Sequence, residues 1–297
     1  MSFSNRLQTC TIASQVQGLL GLQFPSSLSP AIIDAALLGD PLIAAERIVG
    51  AMLRHYHLPA NQVVVRFNNT MKEAGTIVKM ADGKRLVEVQ GRYRGSGQIV
   101  AVLAHEIAHF FLDTHGLRYS DIENEFLTDT TAIYLGAGWS ILSAYEYSVS
   151  QRFGLNTPET TSKSKLGYLR PEEFGYVIAR RCNVTNENVA PWIQRKEGKA
   201  ALSSGIAQLR RELAQPPLVT AGIVSRLKFK YAVLRSTKGA ESAAKVYDFG
   251  AYSIEAGAKK SVLFRCPRCT QQLRLPVGVK RAQVTCGNCQ EAFACSS

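Results

Sequence analysis

Ten residues in the first half of the chain carry its densest chemistry: Val102-Leu103-Ala104-His105-Glu106-Ile107-Ala108-His109-Phe110-Phe111. On a helix, two histidines four residues apart project from one face and can share a tetrahedral Zn2+, while the glutamate beside the first can reach a water at that metal. With only 5 His in 297 residues, a chance H-E-x-x-H anywhere in the chain has a probability of roughly half a per cent. Glu106 is the only acid in an otherwise apolar setting, so the motif helix is expected to be buried. A catalytic zinc needs a third protein ligand and an open fourth position. His115 stands ten residues after His105, but Leu112 occupies the place where the H-E-x-x-H-x-x-G-x-x-H pattern turns the chain on a glycine. On a continuing helix His115 would lie about 240° round from His109, on the wrong face. Glu125 is the better candidate. It shares a face with Asp129 at i, i+4 on the next expected helix, so one carboxylate can ligate while the other accepts the N–H of a ligand histidine and sets its tautomer.

A second set lies at the C-terminal end, where Cys266, Cys269, Cys286 and Cys289 form C-x2-C-x16-C-x2-C. Two such knuckles supply four thiolates for a closed structural zinc, and the intervening LRLPVGVKRAQVT has the length and β-branched content of strand, turn and strand. It resembles a bacterial zinc ribbon, a unit too small to fold on its own core and stabilised by its metal. No thioredoxin-like βαβ pattern surrounds the cysteines, which argues against a redox pair. Cys295 reads as a spare thiol, and Cys10 and Cys182 as small core residues.

The elements that must hold these groups follow from periodicity. Residues 30–57 read as two short helices, each opened by a proline at Pro30 or Pro41. Residues 62–67, 75–80 and 85–91 read as strands of a small antiparallel sheet, the last two joined by a hairpin turn at 81–84. A helix is expected from Gln98 to Leu112 and another from Asp121 to Leu135, ended by Gly136 and Gly138. Residues 154–165 read as a loop, and helices are expected after Pro171 and over 200–213, with Pro216-Pro217 ending the run. The predicted organisation is a domain over 1–217, a partly ordered connector over 218–262 and the ribbon over 263–297. The fold class expected is α+β: a mainly helical, zincin-like domain with a small antiparallel sheet, and a small all-β ribbon.

Composition narrows the function classes. The chain is 46% hydrophobic and 20% charged, the balance of a globular protein and not of a disordered or collagen-like one. No apolar run approaches the ~20 residues that span a bilayer, and residues 1–25 lack the pattern of a secretory leader. A cytoplasmic protein with no membrane partner is expected. Charge is uneven. Lys and Arg outnumber Asp and Glu by 9 in 226–297 and by 5 in 151–225, and fall short by 2 in 1–150. A basic end favours a polyanionic partner, although Phe264 and Phe293 are the ribbon's only aromatics and give base stacking little support. A nucleic acid or a protein remains open as the ribbon's partner.

His105-Glu106-x-x-His109 followed by Glu125-x-x-x-Asp129 resembles the gluzincin zinc metallopeptidases, which include thermolysin, HtpX-like and minigluzincin-like enzymes. The resemblance covers about residues 60–140 and implies zinc ligation by His105, His109 and Glu125, a general base at Glu106 and a supporting acid at Asp129. Only 15 residues separate His109 from Glu125, and no motif marks the group that stabilises the oxyanion. Tyr168, Tyr176 and Arg170 are the candidates. The resemblance implies a zinc endopeptidase, recruited by its ribbon, whose extended substrate pairs with the strand before the motif helix, here Leu86 to Gln90. The alternatives are a non-catalytic adaptor for nucleic acid or protein, and a SprT-like DNA-associated protease, which would need His115 as its third ligand.

Overall fold

A proline at the first helical turn wastes no hydrogen bond, because the N–H there has no partner in the helix. Pro30 and Pro41 open α1 (Pro30–Ala36) and α2 (Pro41–His55), and the Asp40 carboxylate caps α2 by accepting from the N–H groups of Leu42 and Ile43. Strands β1 (Val63–Asn68), β2 (Gly75–Lys79) and β3 (Arg85–Gln90) follow. The helix α3 (Ile99–Thr114) is buried nearly all round, as its composition requires. Next come α4 (Asp121–Ala132), a π-helical turn over Ile133–Ala137 and α5 (Gly138–Ala144). The computed structural model describes residues 16, 25–59, 62–94, 97–117, 121–144, 148–151, 160–163, 166–236, 252–255, 259–268, 271–288 and 290–297. Cys10, Cys269 and Cys289 lie outside them, as do residues 237–251 of the expected connector.

The architecture is α+β with small sheets. The first sheet departs from the antiparallel expectation. Its order is β1-β3-β2, with β2 and β3 antiparallel and β1 parallel to β3. The hairpin forms as read, closed by Met80 N–H on the Lys84 carbonyl. Residues 69–74, however, carry the chain past one strand position, and β3 fills the gap. Side chains favour that pairing: Arg66 and Asn68 of β1 both donate to the Glu88 carboxylate of β3. Consequently Leu86–Gln90 is a central strand and cannot serve as the substrate edge. The edge strand against α3 is β2.

Past α5, strands β4 (Ser148–Gln151) and β5 (Thr160–Lys163) pair antiparallel, and β5 falls within the stretch 154–165 read as a loop. Two long helices, α6 (Pro171–Thr185) and α7 (Lys196–Leu213), pack through glycines: a Cβ on Gly175 would stand 2.2 Å from the Ala201 carbonyl oxygen, and one on Gly205 2.4 Å from Gly175 itself. Buried Arg181 ties the chain entry to this layer by donating to the carbonyls of Pro25 and Tyr134, the Ser27 hydroxyl and the Glu187 carboxylate.

The described residues of 218–262 include regular elements. They contain α8 (Ile223–Arg235) and β6 (Ser253–Glu255), and β6 begins a sheet with β7 (Ser261–Arg265) and β8 (Gln272–Pro276). Strands β9 (Ala282–Thr285) and β10 (Ala292–Cys295) form the second ribbon hairpin. Residues 217–219 run beside β10, with Val219 N–H on the Ala294 carbonyl and Ser296 N–H on the Pro217 carbonyl. The ribbon also docks on α6. Arg180, 2% exposed, donates to the Arg268 carbonyl at 3.1 Å, and Arg268 donates to the Val184 carbonyl at 3.2 Å. Among the described residues, no helix is long and apolar enough to cross a membrane.

Candidate metal centre

One turn of α3 separates His105 from His109, and both rings project towards α4 with their centroids 4.8 Å apart. Glu125 meets them from α4: its Oε2 stands 3.0 Å from His105 Nε2 and 3.4 Å from His109 Nε2. One ligand atom from each of the three residues falls within 4.8 Å of the other two.

The far sides of both rings are held by the same helix. His105 Nδ1–H donates to Asp129 Oδ1 at 2.9 Å. Asp129 has no exposed surface, and its other oxygen accepts the N–H groups of Tyr168 at 2.6 Å and Leu169 at 2.9 Å. Gly167, at φ +85°, turns the chain into that position with a conformation that a side chain would strain. His109 Nδ1 lies 3.0 Å from the Thr128 hydroxyl. That hydroxyl has one hydrogen and gives it to the Asn124 carbonyl at 2.8 Å, so towards His109 it accepts. Both histidines therefore carry the Nδ1 proton, and both Nε2 atoms face Glu125, as donors to its carboxylate when protonated and as lone pairs for a cation when neutral. Successive positions of α4 thus divide the work: Glu125 faces both rings, Asp129 holds His105, and Thr128, itself held by the Asn124 carbonyl, holds His109.

Electrostatics run the same way. Burial disfavours a charged His105, but the Asp129 and Glu125 carboxylates outweigh it and raise this imidazole well above its ordinary range. Burial likewise opposes ionisation of Glu125, yet hydrogen bonds from the two histidines hold it down at about 2. A cluster that stabilises positive charge beside a carboxylate, with two imidazole Nε2 atoms aimed inward, fits a divalent cation, which would displace their protons; two nitrogens and one oxygen are a donor set that catalytic zinc uses. Glu106 is 5% exposed, and burial raises its carboxyl against the pull of His105 and His109.

These groups lie in a cleft of about 950 Å³, walled by Gly75, Thr76 and Ile77 of β2 on one side and by Gly167 and Tyr168 on another. Gly75 is a point of close approach: a Cβ there would stand 2.6 Å from Val102 Cγ1 and 2.7 Å from Glu106 Oε1. The Tyr168 ring stacks on His105 with centroids 5.8 Å apart. Of the other two oxyanion candidates, Tyr176 is buried in α6 with its hydroxyl on Glu212, and Arg170 precedes α6 with its N–H on Glu173. His115 caps the end of α3, with Nδ1 on the Phe111 carbonyl and its ring stacked on Phe111. It is not part of the cluster.

In the ribbon, Cys266 and Cys286 are buried in one small core. The two knuckles share a turn, Cys266 N–H on the Gln271 carbonyl and Cys286 N–H on the Glu291 carbonyl. Their partners Cys269 and Cys289 lie outside the described residues. Cys295 is a core residue of the ribbon, and burial pushes its thiol up to about 11. Half-buried Cys182 is raised by burial as well.

Thr128, Asn124, Gly75 and Gly167 carry no motif, and sequence reading passes over them. The one available signal is the i, i+4 pair Asn124–Thr128 beside Glu125–Asp129. Compared with protein-family models, curated proteins and solved structures, the chain matches none.

Proposed function

We propose that this chain is a zinc-dependent endopeptidase with His105, His109 and Glu125 as metal ligands and Glu106 as general base. One observation carries the reading: two Nε2 atoms and a carboxylate converge in a cleft that also holds a buried glutamate and an edge strand. Zinc held there would supply Lewis acidity towards a peptide carbonyl and a water.

The protein's own groups do the rest. Glu106 takes the proton of the attacking water and passes it to the departing amine, and its burial moves it towards the pKa that a base working near neutrality needs. Asp129 and Thr128 keep both imidazoles in the ligating tautomer. The β2 edge pairs with an extended peptide and lays its scissile bond over α3. Tyr168, at the cleft wall, supplies a phenolic donor to the carbonyl oxygen as it gains charge. Cys266, Cys269, Cys286 and Cys289 would hold a second, structural zinc, and the protein partner or nucleic acid met by the basic ribbon directs the enzyme to its substrate. A SprT-like arrangement finds no support, because His115 points away from the cluster.

The test is Glu106→Gln, assayed on an unfolded casein-like substrate with zinc measured in parallel. Lost cleavage with both zinc ions retained is the expected result. Cleavage equal to the parent's would refute the mechanism, and a single zinc lost with Cys266→Ser would remove the enzyme reading.

A further inference from the structure

Helix α8 has apolar residues on two opposite faces, and the described residues cover only one. Phe229 and Val233 are buried against Val262 of β7, Ile254 of β6 and the adjoining Tyr252. Ile223, Val224, Leu227, Tyr231 and Leu234 are between 54% and 78% exposed. Rotation of 100° per residue places these five within an arc of about 100°, along a rod about 20 Å long. Exposed apolar surface gathered in this way marks an interaction site. Arg226 and Lys230 border the stripe on one side, Lys228 and Arg235 on the other, and the helix carries no Asp or Glu. Arg235 lies over the Tyr231 ring at 4.5 Å, and Lys260 adds a cation at the helix end through its bond to the Val233 carbonyl.

We propose that this face of α8 lies on an anionic lipid surface, with the stripe buried among the outer acyl carbons and the flanking cations reaching the headgroups. The pattern decides between occupants. A nucleic acid offers nothing to five apolar side chains. A second copy laid stripe to stripe would oppose cations to cations. A bilayer surface presents negative charge on both sides of an inserted rod, which matches basic flanks left and right. Lysine and arginine stems are long enough to lie along the apolar face while their charges stay in water, and a tyrosine is suited to the boundary. The helix is too short to span, so the contact is peripheral. The hollow beside it, lined by Pro216, Phe229 and Lys230, is only about 10 Å³, so the occupant must conform to a convex surface and not enter a pocket. This inference is independent of the metal centre.

The experiment is cosedimentation of the full chain with vesicles of phosphatidylcholine alone or of phosphatidylcholine with phosphatidylglycerol. Binding should be at least about tenfold tighter to the anionic vesicles and should weaken with salt. Leu227→Ser with Leu234→Ser, both at exposed positions, should abolish it with an unchanged melting curve. Lys228→Glu with Lys230→Glu should abolish it independently and serves if the first pair fails to fold. The proposal is overturned if the parent ignores anionic vesicles at low salt, or if the serine pair binds as the parent does, which would leave a merely electrostatic attraction. It is equally overturned if sedimentation velocity shows a dimer that the serine pair dissolves, or if an acidic protein, not lipid, proves to cover the stripe.

Discussion

The Thr128 hydroxyl accepts the Nδ1–H of His109 at 3.0 Å while giving its own proton to the Asn124 carbonyl. A side chain without motif status thereby sets the tautomer of a proposed ligand. Groups in this position typically change metal affinity by about 10- to 100-fold when removed. Thr128→Val should weaken zinc binding within that range, as measured by competition with a chromogenic chelator, whereas Thr128→Ser should restore it. Equal affinity in all three proteins would show that His109 needs no such support.

Gly75→Ala tests the approach of β2 to α3. The added methyl would meet Glu106 Oε1 at 2.7 Å and Val102 at 2.6 Å, so either the carboxylate or the edge strand must move. A displacement of about 1 Å can cost on the order of 100-fold in rate. The expected outcome is a large fall in kcat with two zinc ions still bound, because the ligands lie on α3 and α4.

Glu125→Ala and His115→Ala should separate the two sequence candidates for the third ligand. Removal of Glu125 takes away an oxygen within 3.4 Å of both Nε2 atoms, and zinc at this site should fall towards zero while ribbon zinc stays. His115→Ala should leave both occupied. The reverse pattern in metal analysis would reassign the site.

Acid should loosen the tie between the chain entry and α6. Burial opposes ionisation of Glu187, but hydrogen bonds from Ser27 and Arg181 outweigh it and hold the carboxyl below its ordinary value. A depressed carboxylate stabilises the fold above its unfolded pKa and loses that contribution as pH falls through the folded one. The melting temperature of Glu187→Gln should therefore lie below the parent's at pH 7, and the gap should close below about pH 4. A gap that widens in acid would contradict the pairing.

The ribbon should prove coupled to the first domain and not simply appended to it. A cut after residue 217 removes two hydrogen bonds between the units, Arg180 to the Arg268 carbonyl and Arg268 to the Val184 carbonyl, each worth about 0.5–1.5 kcal/mol net. Urea unfolding of residues 1–217 should show that loss relative to the full chain. An unchanged midpoint would restore the separable module that cysteine spacing and composition suggest.

The motif helix, its two histidines and the pairing of Glu125 with Asp129 were legible in the sequence because they depend on local period alone: i, i+4 on a helix places side chains on one face wherever that helix sits. The spacing of the C-terminal cysteines is local too, and Cys266 and Cys286 meet in one small core. Strand order was not. Nothing within β1, β2 or β3 says that β3 inserts between the others; the pairing of Arg66 and Asn68 with Glu88 joins residues 20 or more apart, and it makes β2 the edge. The supports of the site are equally nonlocal. Tyr168 and Leu169 reach Asp129 across about forty positions, Gly75 matters only because β2 touches Glu106, and Arg180 meets the ribbon from a helix 88 residues away. Residue type and spacing determined which groups could share a site, whereas packing between distant segments decided which side chains and backbone hold them in place, because hydrogen bonds and steric limits act on neighbours in space and leave no period along the chain.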